Sequence, residues 1–421
     1  MSPHRLQVLD GKGQPALEIA FVTKFLKMWD DSGSGADRNF SCWYPDIPMD
    51  MWNEGFRSLG HYVKEGHSAP ETPMLIVKAI QWNALARPNG WQWVWDDAGS
   101  GADDDVSVWV PQAPPNYSAL GAFTWDRHCS AEELARDLPD WPMACVRSDL
   151  VFKAEVGNFI WNDAGSGADH DLSTWGINPL SPPPDSKQTY LVSGSFCPNS
   201  SGDKPADSLV AYALAVQFPS DKQDAEPILP RLTSLAGPEE TIMARDTFGN
   251  PIPVSVAYIP CMQVKDEAYR DRLNRQVEET PFYTLEKYIV YNRASFHTNQ
   301  GGTNGRFGFK YTTGTSKTDS MSIENTIGVS LTAGYEAGVE VDGIGAKASV
   351  STTLSYSLGI TSETAHTLSE EVEDSVEYDI PANGAGCLFV KSYVYILKRT
   401  DGSELTRWTI NSKDTHYVAY P

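Results

Sequence analysis

The sequence predicts an all-β protein built from two unlike halves, and two observations carry that expectation. A nonapeptide recurs three times between Trp29 and Asp169, and an apolar–polar alternation runs from Ile327 to Ile360. The composition suits both halves: 41% hydrophobic and 11% aromatic residues in a 421-residue chain suffice for two or three domains with buried cores. Its 33 basic and 55 acidic residues leave a formal net charge of −22. That balance argues against a nucleic-acid partner, which needs a basic face, and removes electrostatic attraction to anionic lipid.

Twelve of the thirteen tryptophans lie between Trp29 and Trp175, whereas no proline occurs between Pro281 and Pro381. A polar, proline-bearing stretch at 219–230 marks the seam between these compositions. The expected domains are 1–218 and 235–421, with 219–234 as linker. Helical stretches are expected to be few, with 130–137 and 265–279 the best candidates. Six scattered cysteines (Cys42, Cys129, Cys145, Cys197, Cys261, Cys387) show neither a CxxC pair nor zinc spacing, so free and mostly buried thiols are expected. The first residues lack the basic-then-apolar run of a signal peptide, and no apolar run long enough for a membrane helix follows. The expectation is a soluble protein, cytoplasmic in its producer or released by a non-classical route, that reaches a target-cell membrane when active.

The repeat reads Trp29-Asp-Asp-Ser-Gly-Ser-Gly-Ala-Asp37, then Trp95-Asp-Asp-Ala-Gly-Ser-Gly-Ala-Asp103, then Trp161-Asn-Asp-Ala-Gly-Ser-Gly-Ala-Asp169. The interval from Trp29 to Trp95 equals that from Trp95 to Trp161, and a second tryptophan follows each first one at a constant offset: Trp43, Trp109 and Trp175. Weaker echoes pair Leu59-Gly60 with Leu120-Gly121, and Pro73-Met74-x-x-Val77 with Pro142-Met143-x-x-Val146. Three copies of a unit too small to bury its own face imply a closed three-fold or a stacked array. Alternating runs such as Trp91-Gln-Trp93-Val-Trp95 between Gly, Pro and Asp turns make the unit all-β.

Over about residues 14–215 these nonapeptides resemble the Vps62-like repeat. The resemblance implies a β-prism, three antiparallel sheets around a pseudo-three-fold axis. The pairs Gly33/Asp37, Gly99/Asp103 and Gly165/Asp169 are similar in spacing to the sugar-binding loop of jacalin-related β-prism lectins. A carboxylate accepts sugar hydroxyls while glycine exposes backbone N–H groups beside it, and Trp43, Trp109 and Trp175 would supply stacking faces. Two other readings stay open. The loop is equally a tight turn with glycines at positive φ, and Asp30, Asp31, Asp37 and their counterparts offer oxygens to calcium. No other cofactor or metal is expected.

In the second half, Ile327, Val329, Leu331, Ala333, Tyr335, Ala337, Val339 and Val341 are all apolar, and none of the intervening residues is. After Asp342-Gly343 the parity flips: Ile344, Ala346, Ala348, Val350, Leu354, Tyr356, Leu358 and Ile360 are apolar, with Thr352 the exception. A parity flip across two residues is what an antiparallel hairpin with a type I′ turn requires, and it makes paired residue numbers sum to 685. Each arm of this alternation exceeds the ~9–11 residues that span a bilayer as a tilted strand. One hairpin leaves unpaired edges in lipid, so copies from other protomers must close a barrel. The expected membrane segment is 326–361, with the apolar residues facing lipid and Glu336, Glu340, Asp342 and Lys347 facing the lumen.

Long Ser/Thr-rich strands around such a hairpin resemble the aerolysin-like β-pore-forming family, over about residues 235–421. The resemblance implies an elongated antiparallel β domain and a toxin or defence protein, with 310–325 and 362–380 flanking the hairpin. The partners it implies are a cell-surface glycan or glycosylated receptor, the target lipid membrane and a homo-oligomeric ring. No G-x-S-x-G, HExxH or P-loop is present, so no enzyme activity is expected. A rival reading is a non-lytic multivalent carbohydrate-binding protein whose second half is an oligomerising β-scaffold, and an intracellular sorting role ranks below both. Three acids against one lysine per protomer in the lumen predict a mildly cation-preferring pore, and an anion-selective reversal potential would contradict that lumen assignment.

Overall fold

Turn-forming glycine, proline and aspartate cut the first half into short strands, and sustained alternation lets those of the second half run long. The computed structural model describes residues 5–138, 141–180, 188–217, 229–237, 241–243, 251–270, 272–327 and 371–421. Among these, one compact unit takes 5–217 with 269–281, and a second takes 229–268 with 282–327 and 371–421. The protein is all-β, with antiparallel sheets throughout.

In the first unit each repeat supplies two small sheets. One holds the nonapeptide as the loop of a hairpin: Phe25–Asp30 with Phe40–Pro45, Gly90–Asp96 with Ser107–Gln112, and Glu155–Asn162 with Ser173–Asn178. Tyr62–Glu65, Phe123–Trp125 and Cys197–Asn199 complete these sheets. The others centre on Met74–Ala79, Cys145–Arg147 and Tyr212–Gln217. In every hairpin the register slips at the residue before the first tryptophan, namely Met28, Val94 or Ile160. A bulge there turns two consecutive side chains to the same side. The bulged residue and its tryptophan therefore both pack into the core, where Trp29, Trp95 and Trp161 are at most 2% exposed. Trp29 meets Trp95 edge-on at 6.3 Å between ring centroids, and Trp95 meets Trp161 at 6.5 Å.

The Leu-Gly echoes form a second meeting point of the three repeats. His61 N–H donates to the Ala122 carbonyl at 2.9 Å. Ser195 Oγ of the third repeat donates to the His61 carbonyl at 2.8 Å, and Ser193 Oγ donates to the carbonyl of Leu120. The approach is so close that a Cβ added at Gly121 would collide with the Cβ and Oγ of Ser195. The His61 ring is buried beside Tyr44 and Phe123. Its Nδ1 accepts the Thr124 N–H at 3.2 Å, and burial lowers its pKa to about 3, so the imidazole stays neutral.

The second unit is one large antiparallel sheet. Its strands run in the order Phe282–Thr298, Ala385–Lys398, Glu404–Tyr420, Gly305–Thr315, Val372–Ile380, and Thr241–Met243 and Ser255–Pro260 pair along the outer edge of the first. Asp266 is clamped beneath one end, accepting from Arg399 Nε at 2.6 Å and from Tyr283 Oη at 2.9 Å. The cysteines are free thiols, buried except for the half-buried Cys129.

Both expected helical stretches contain helix. Ala131–Asp137 starts at a capping box in which Ser130 and Glu133 bond reciprocally, and within 265–279 the α-helix is Leu273–Glu279. Two further helices among the described residues lie outside those stretches: Met49–Glu54, and Lys317–Ile327, which occupies the flank where only long strands were expected. Thr326 and Ile327, expected as the start of the hairpin with Ile327 its first lipid-facing residue, end that helix, and the Ile327 side chain is buried. Residues 328–370, which hold the rest of the expected hairpin, lie outside the described residues.

Glycine at 121 is demanded by space. Gly121→Ala should destabilise the first unit by about 1–3 kcal/mol, lowering its thermal midpoint by roughly 5 °C. Gly202→Ala is the control, because a Cβ there meets nothing within 4 Å. Equal midpoints for the two variants, measured by calorimetry, would show that the junction tolerates expansion.

Candidate functional site

Each nonapeptide loop first closes on itself. The aspartate two residues after the first tryptophan accepts at Oδ1 from a backbone N–H at the start of the returning strand: Asp31 from Phe40 at 2.9 Å, Asp97 from Val106 at 2.8 Å, Asp163 from Leu172 at 3.0 Å. Within the turn, the N–H groups of Ser34, Ser100 and Ser166 bond back to the carbonyls of those same aspartates. Gly33, Gly99 and Gly165 lie at φ +90°, +85° and +81°, where a side chain is strained.

The three loops then join in a ring. Asp37 N–H donates to the Ala164 carbonyl at 2.9 Å, Asp103 N–H to Ser32 at 2.8 Å, and Asp169 N–H to Ala98 at 2.7 Å. The buried indoles reinforce it in the opposite sense. Trp29 Nε1 donates to the Asp104 carbonyl at 2.7 Å, Trp95 to His170 at 2.7 Å, and Trp161 to Arg38 at 2.6 Å. The glycine–aspartate pairs singled out in the sequence thus meet between repeats rather than within one loop. A Cβ on Gly33 would lie 2.8 Å from Asp103 Oδ1, one on Gly99 2.7 Å from Asp169 Oδ1, and one on Gly165 2.7 Å from Asp37 Oδ1. All six residues remain exposed.

The second tryptophans are placed differently. Trp43, Trp109 and Trp175 donate to the hydroxyls of Ser41, Ser107 and Ser173 at 2.8, 2.8 and 2.9 Å. Those hydroxyls in turn donate to the carbonyls of Gly66, Arg127 and Ser201. Trp43 and Trp109 are buried and present no open face, while Trp175 is half-buried. At the loop turn, Asp31, Asp97 and Asp163 each hold a backbone N–H at Oδ1, and Asp37, Asp103 and Asp169 face the neighbouring glycine. Among the described residues one group, Asp97, Asp105 and His128, brings three metal-ligating atoms together, and its Asp97 Oδ1 already accepts from Val106 and from His128 at 2.6 Å.

Two histidines brace these aspartates, and sequence reasoning missed them because each lies in a later strand connection, far from the nonapeptide it supports. His67 Nε2 is 2.6 Å from Asp31 Oδ1, and His128 Nε2 is 2.6 Å from Asp97 Oδ1. Burial pulls His128 down, but the hydrogen bond to Asp97 and the charges of Asp97, Asp105 and Asp96 outweigh it and raise its pKa. Asp163, with no such histidine, is raised mainly by burial.

In the second unit, Gly305–Thr315 and Val372–Ile380 enclose the segment that holds the expected membrane hairpin. They pair antiparallel from Gly305 with Ile380 to Thr313 with Val372, residue numbers summing to 685 throughout. Their odd-numbered face in the first strand carries Phe307, Phe309 and Tyr311, which pack with Val376, Tyr378 and Tyr417. Ion pairs bridge the opposite face, Arg306 to Glu377 at 2.8 Å and Lys310 to Glu373 at 2.7 Å. The helix Lys317–Ile327 is built from poor helix formers, among them Thr318, Ser320, Ser322, Asn325 and Thr326. Tertiary contacts hold it: Ile323 and Ile327 are buried, Asp319 accepts from Thr409 N–H at 3.1 Å, and Ser322 accepts from Trp408 Nε1 at 3.0 Å. No helix among the described residues is long and apolar enough to cross a membrane.

Residues 12–218 match the family model of vacuolar protein sorting-associated protein 62, and residues 254–418 match that of insecticidal crystal toxin P42. The chain is thus similar to the first family over its N-terminal part and to the second over its C-terminal part, each match covering less than half of it. Two solved structures are similar to parts of it. GNIP1Aa from Chromobacterium piscinae is 26% identical over 44% of this chain and 34% of its own, with a TM-score of 0.35, so this chain spans about a third of that protein. Cry35Ab1 is 16% identical over 80% of this chain and 89% of its own, with a TM-score of 0.33. Superpositions this partial transfer no residue role. Comparison with curated protein sequences finds no match.

The first unit has a pH dependence with a definite sign. A histidine whose pKa is raised on folding stabilises the fold below its unfolded value near 6.5, and loses that contribution as pH rises through the raised value. His128→Gln should therefore lower the thermal midpoint more at pH 5.5 than at pH 8.5. An equal loss at both pH values would mean that His128 acts only as a neutral hydrogen-bond partner.

Proposed function

We propose that the chain is an insecticidal pore-forming toxin. In this reading the Vps62-like part binds a cell-surface glycan or glycosylated receptor, and a ring of like chains assembles at the membrane. The P42-like part then inserts the hairpin 326–361 into a shared β-barrel. No catalytic step is involved. The target class follows from the P42 family description, and membrane action rests on the hairpin.

One observation carries the reading. The pairing of Gly305–Thr315 with Val372–Ile380 keeps a sum of 685, the sum that a type I′ turn at Asp342-Gly343 imposes on the alternating segment. A hairpin growing from the described strands thus reaches that turn without slipping register, and slippage by one residue would reverse every face. Parity agrees as well. The odd-numbered face that buries Phe307 and Phe309 continues into the odd-numbered apolar positions Ile327 to Val341. The Lys317–Ile327 helix is the part that must unwind, and its β-branched and hydroxyl residues favour that change. Positions 315–325 would then form a polar stem between the body and the lipid-facing band.

The test is single-channel current across a planar bilayer, with and without brief protease trimming, for the parent and for Leu354→Asp. The parent should give discrete steps and the variant none, because a charge on the lipid face costs about 2 kcal/mol per protomer near midplane. Surface binding should survive in the variant, and its loss there would place Leu354 in a core instead. Silence from both proteins, repeated on target-cell vesicles, would favour a non-lytic multivalent carbohydrate-binding protein.

A further inference from the structure

The first unit displays one large aromatic side chain almost wholly to water. Trp82 is 92% exposed, the most of any large apolar side chain among the described residues. The turn after the counterpart strand Cys145–Arg147 runs through Ser148, Asp149 and Leu150 with no aromatic residue, so the repeat does not account for it. Nor is it carried on a loose loop. Trp82 occupies a corner of a turn closed by Ala84 N–H to the Gln81 carbonyl at 3.0 Å. Gln81 N–H bonds the Ala16 carbonyl, and Tyr117 Oη donates to the Asn83 carbonyl at 2.8 Å.

A polar network fixes the side chains of the residues before and after Trp82 in the chain. Arg147 donates to Gln81 Oε1 at 2.9 Å and to Asn83 Oδ1 at 2.7 Å, and its Nε donates to Asp149 at 2.6 Å. Gln81 Nε2 donates to Asp10 at 2.9 Å. With Asn83 Oδ1 turned to Arg147, its amide hydrogens point away from that bond. Asp149 keeps its carboxylate half in solvent.

An open indole beside rigid donors and acceptors matches a ligand with one apolar face and a rim of hydroxyls. An aromatic ring held in advance loses little entropy on stacking. The charges narrow the choice. Arg147 is already paired with Asp149, and Asp10 adds a second carboxylate, so a phosphate or an acidic sugar would meet like charge. A lipid interface would have to cover this same polar network.

We propose that Trp82 is a stacking platform for a neutral pyranose, with Asn83 and Asp149 bonding its hydroxyls. The proposal rests on the glycan-binding part of the function above, and locates the contact away from the axial loops.

The test uses the full chain on a printed panel of neutral oligosaccharides ending in glucose, galactose, mannose, N-acetylglucosamine or N-acetylgalactosamine, beside vesicles of phosphatidylcholine alone. Parent, Trp82→Ala and Trp82→Tyr are compared, each checked for an unchanged thermal midpoint. The parent should bind at least one terminal sugar, Trp82→Ala should lose tenfold or more, and Trp82→Tyr should keep most of the binding. Sugar binding equal in parent and Trp82→Ala overturns the platform but leaves glycan recognition standing. A parent that binds no sugar on the panel overturns both, without touching the channel measurement. Binding to bare phosphatidylcholine that Trp82→Ala abolishes, with no sugar bound, overturns the proposal in favour of a lipid contact.

Discussion

Everything in the first unit depends on how closely three backbones approach one another around a common centre. A left-handed glycine in one copy leaves just enough room for the carboxylate of the next, and the same loop's aspartate N–H reaches back to a carbonyl of the previous copy. Neither half of the arrangement exists inside a single repeat. The three tryptophans fill the space under the ring and commit their indole N–H groups to the neighbouring loop, so burial and polar satisfaction are met by the same residues. At the second meeting point Gly60, Gly121 and Ser195 play the same part with different chemistry.

The second unit obeys a constraint of register. Long antiparallel strands can lengthen at the expense of an adjoining element only if the pairing already in place is the one the longer hairpin needs. Here the described strands have that pairing, and the element between them and the alternating segment is a short helix whose stability comes from Ile323, Ile327, Asp319 and Ser322 rather than from its own residues. A local structure kept by a few tertiary contacts is a natural place to store a conformational change.

Much of this was readable from the residues alone, where the signal was periodic. The nonapeptides announced three copies, and the sum of 685 implied by the alternation is the one that Gly305–Thr315 and Val372–Ile380 keep, because repeats and parity are one-dimensional properties. What escaped was relational. The spacing of Gly33 and Asp37 suggests a pair within a loop, whereas the fold pairs Gly33 with Asp103; nothing in the local sequence separates the two. Trp43 and Trp109 look like stacking faces until a serine just before each takes its N–H and the core closes over them. The helix at Lys317–Ile327 defeats propensity, since many of its residues favour strand or turn and tertiary contacts hold it: buried Ile323 and Ile327, and hydrogen bonds from Trp408 and Thr409. His67 and His128 escaped because their aspartate partners are far away in sequence.

The cyclic pattern of the loops also bears on how such a module can change. Each contact runs from one copy to a different one, so three separate chains of a single repeat could close the same ring as a homotrimer. Fusing the copies replaces a concentration-dependent assembly by closure within one molecule. It also frees the copies from identity. In a homotrimer any new surface residue appears three times, at three equivalent corners. In a fused chain one corner can carry Trp82 while the corresponding turn of the next copy, Ser148–Leu150, carries no aromatic residue, and a symmetric scaffold acquires a single, directional face.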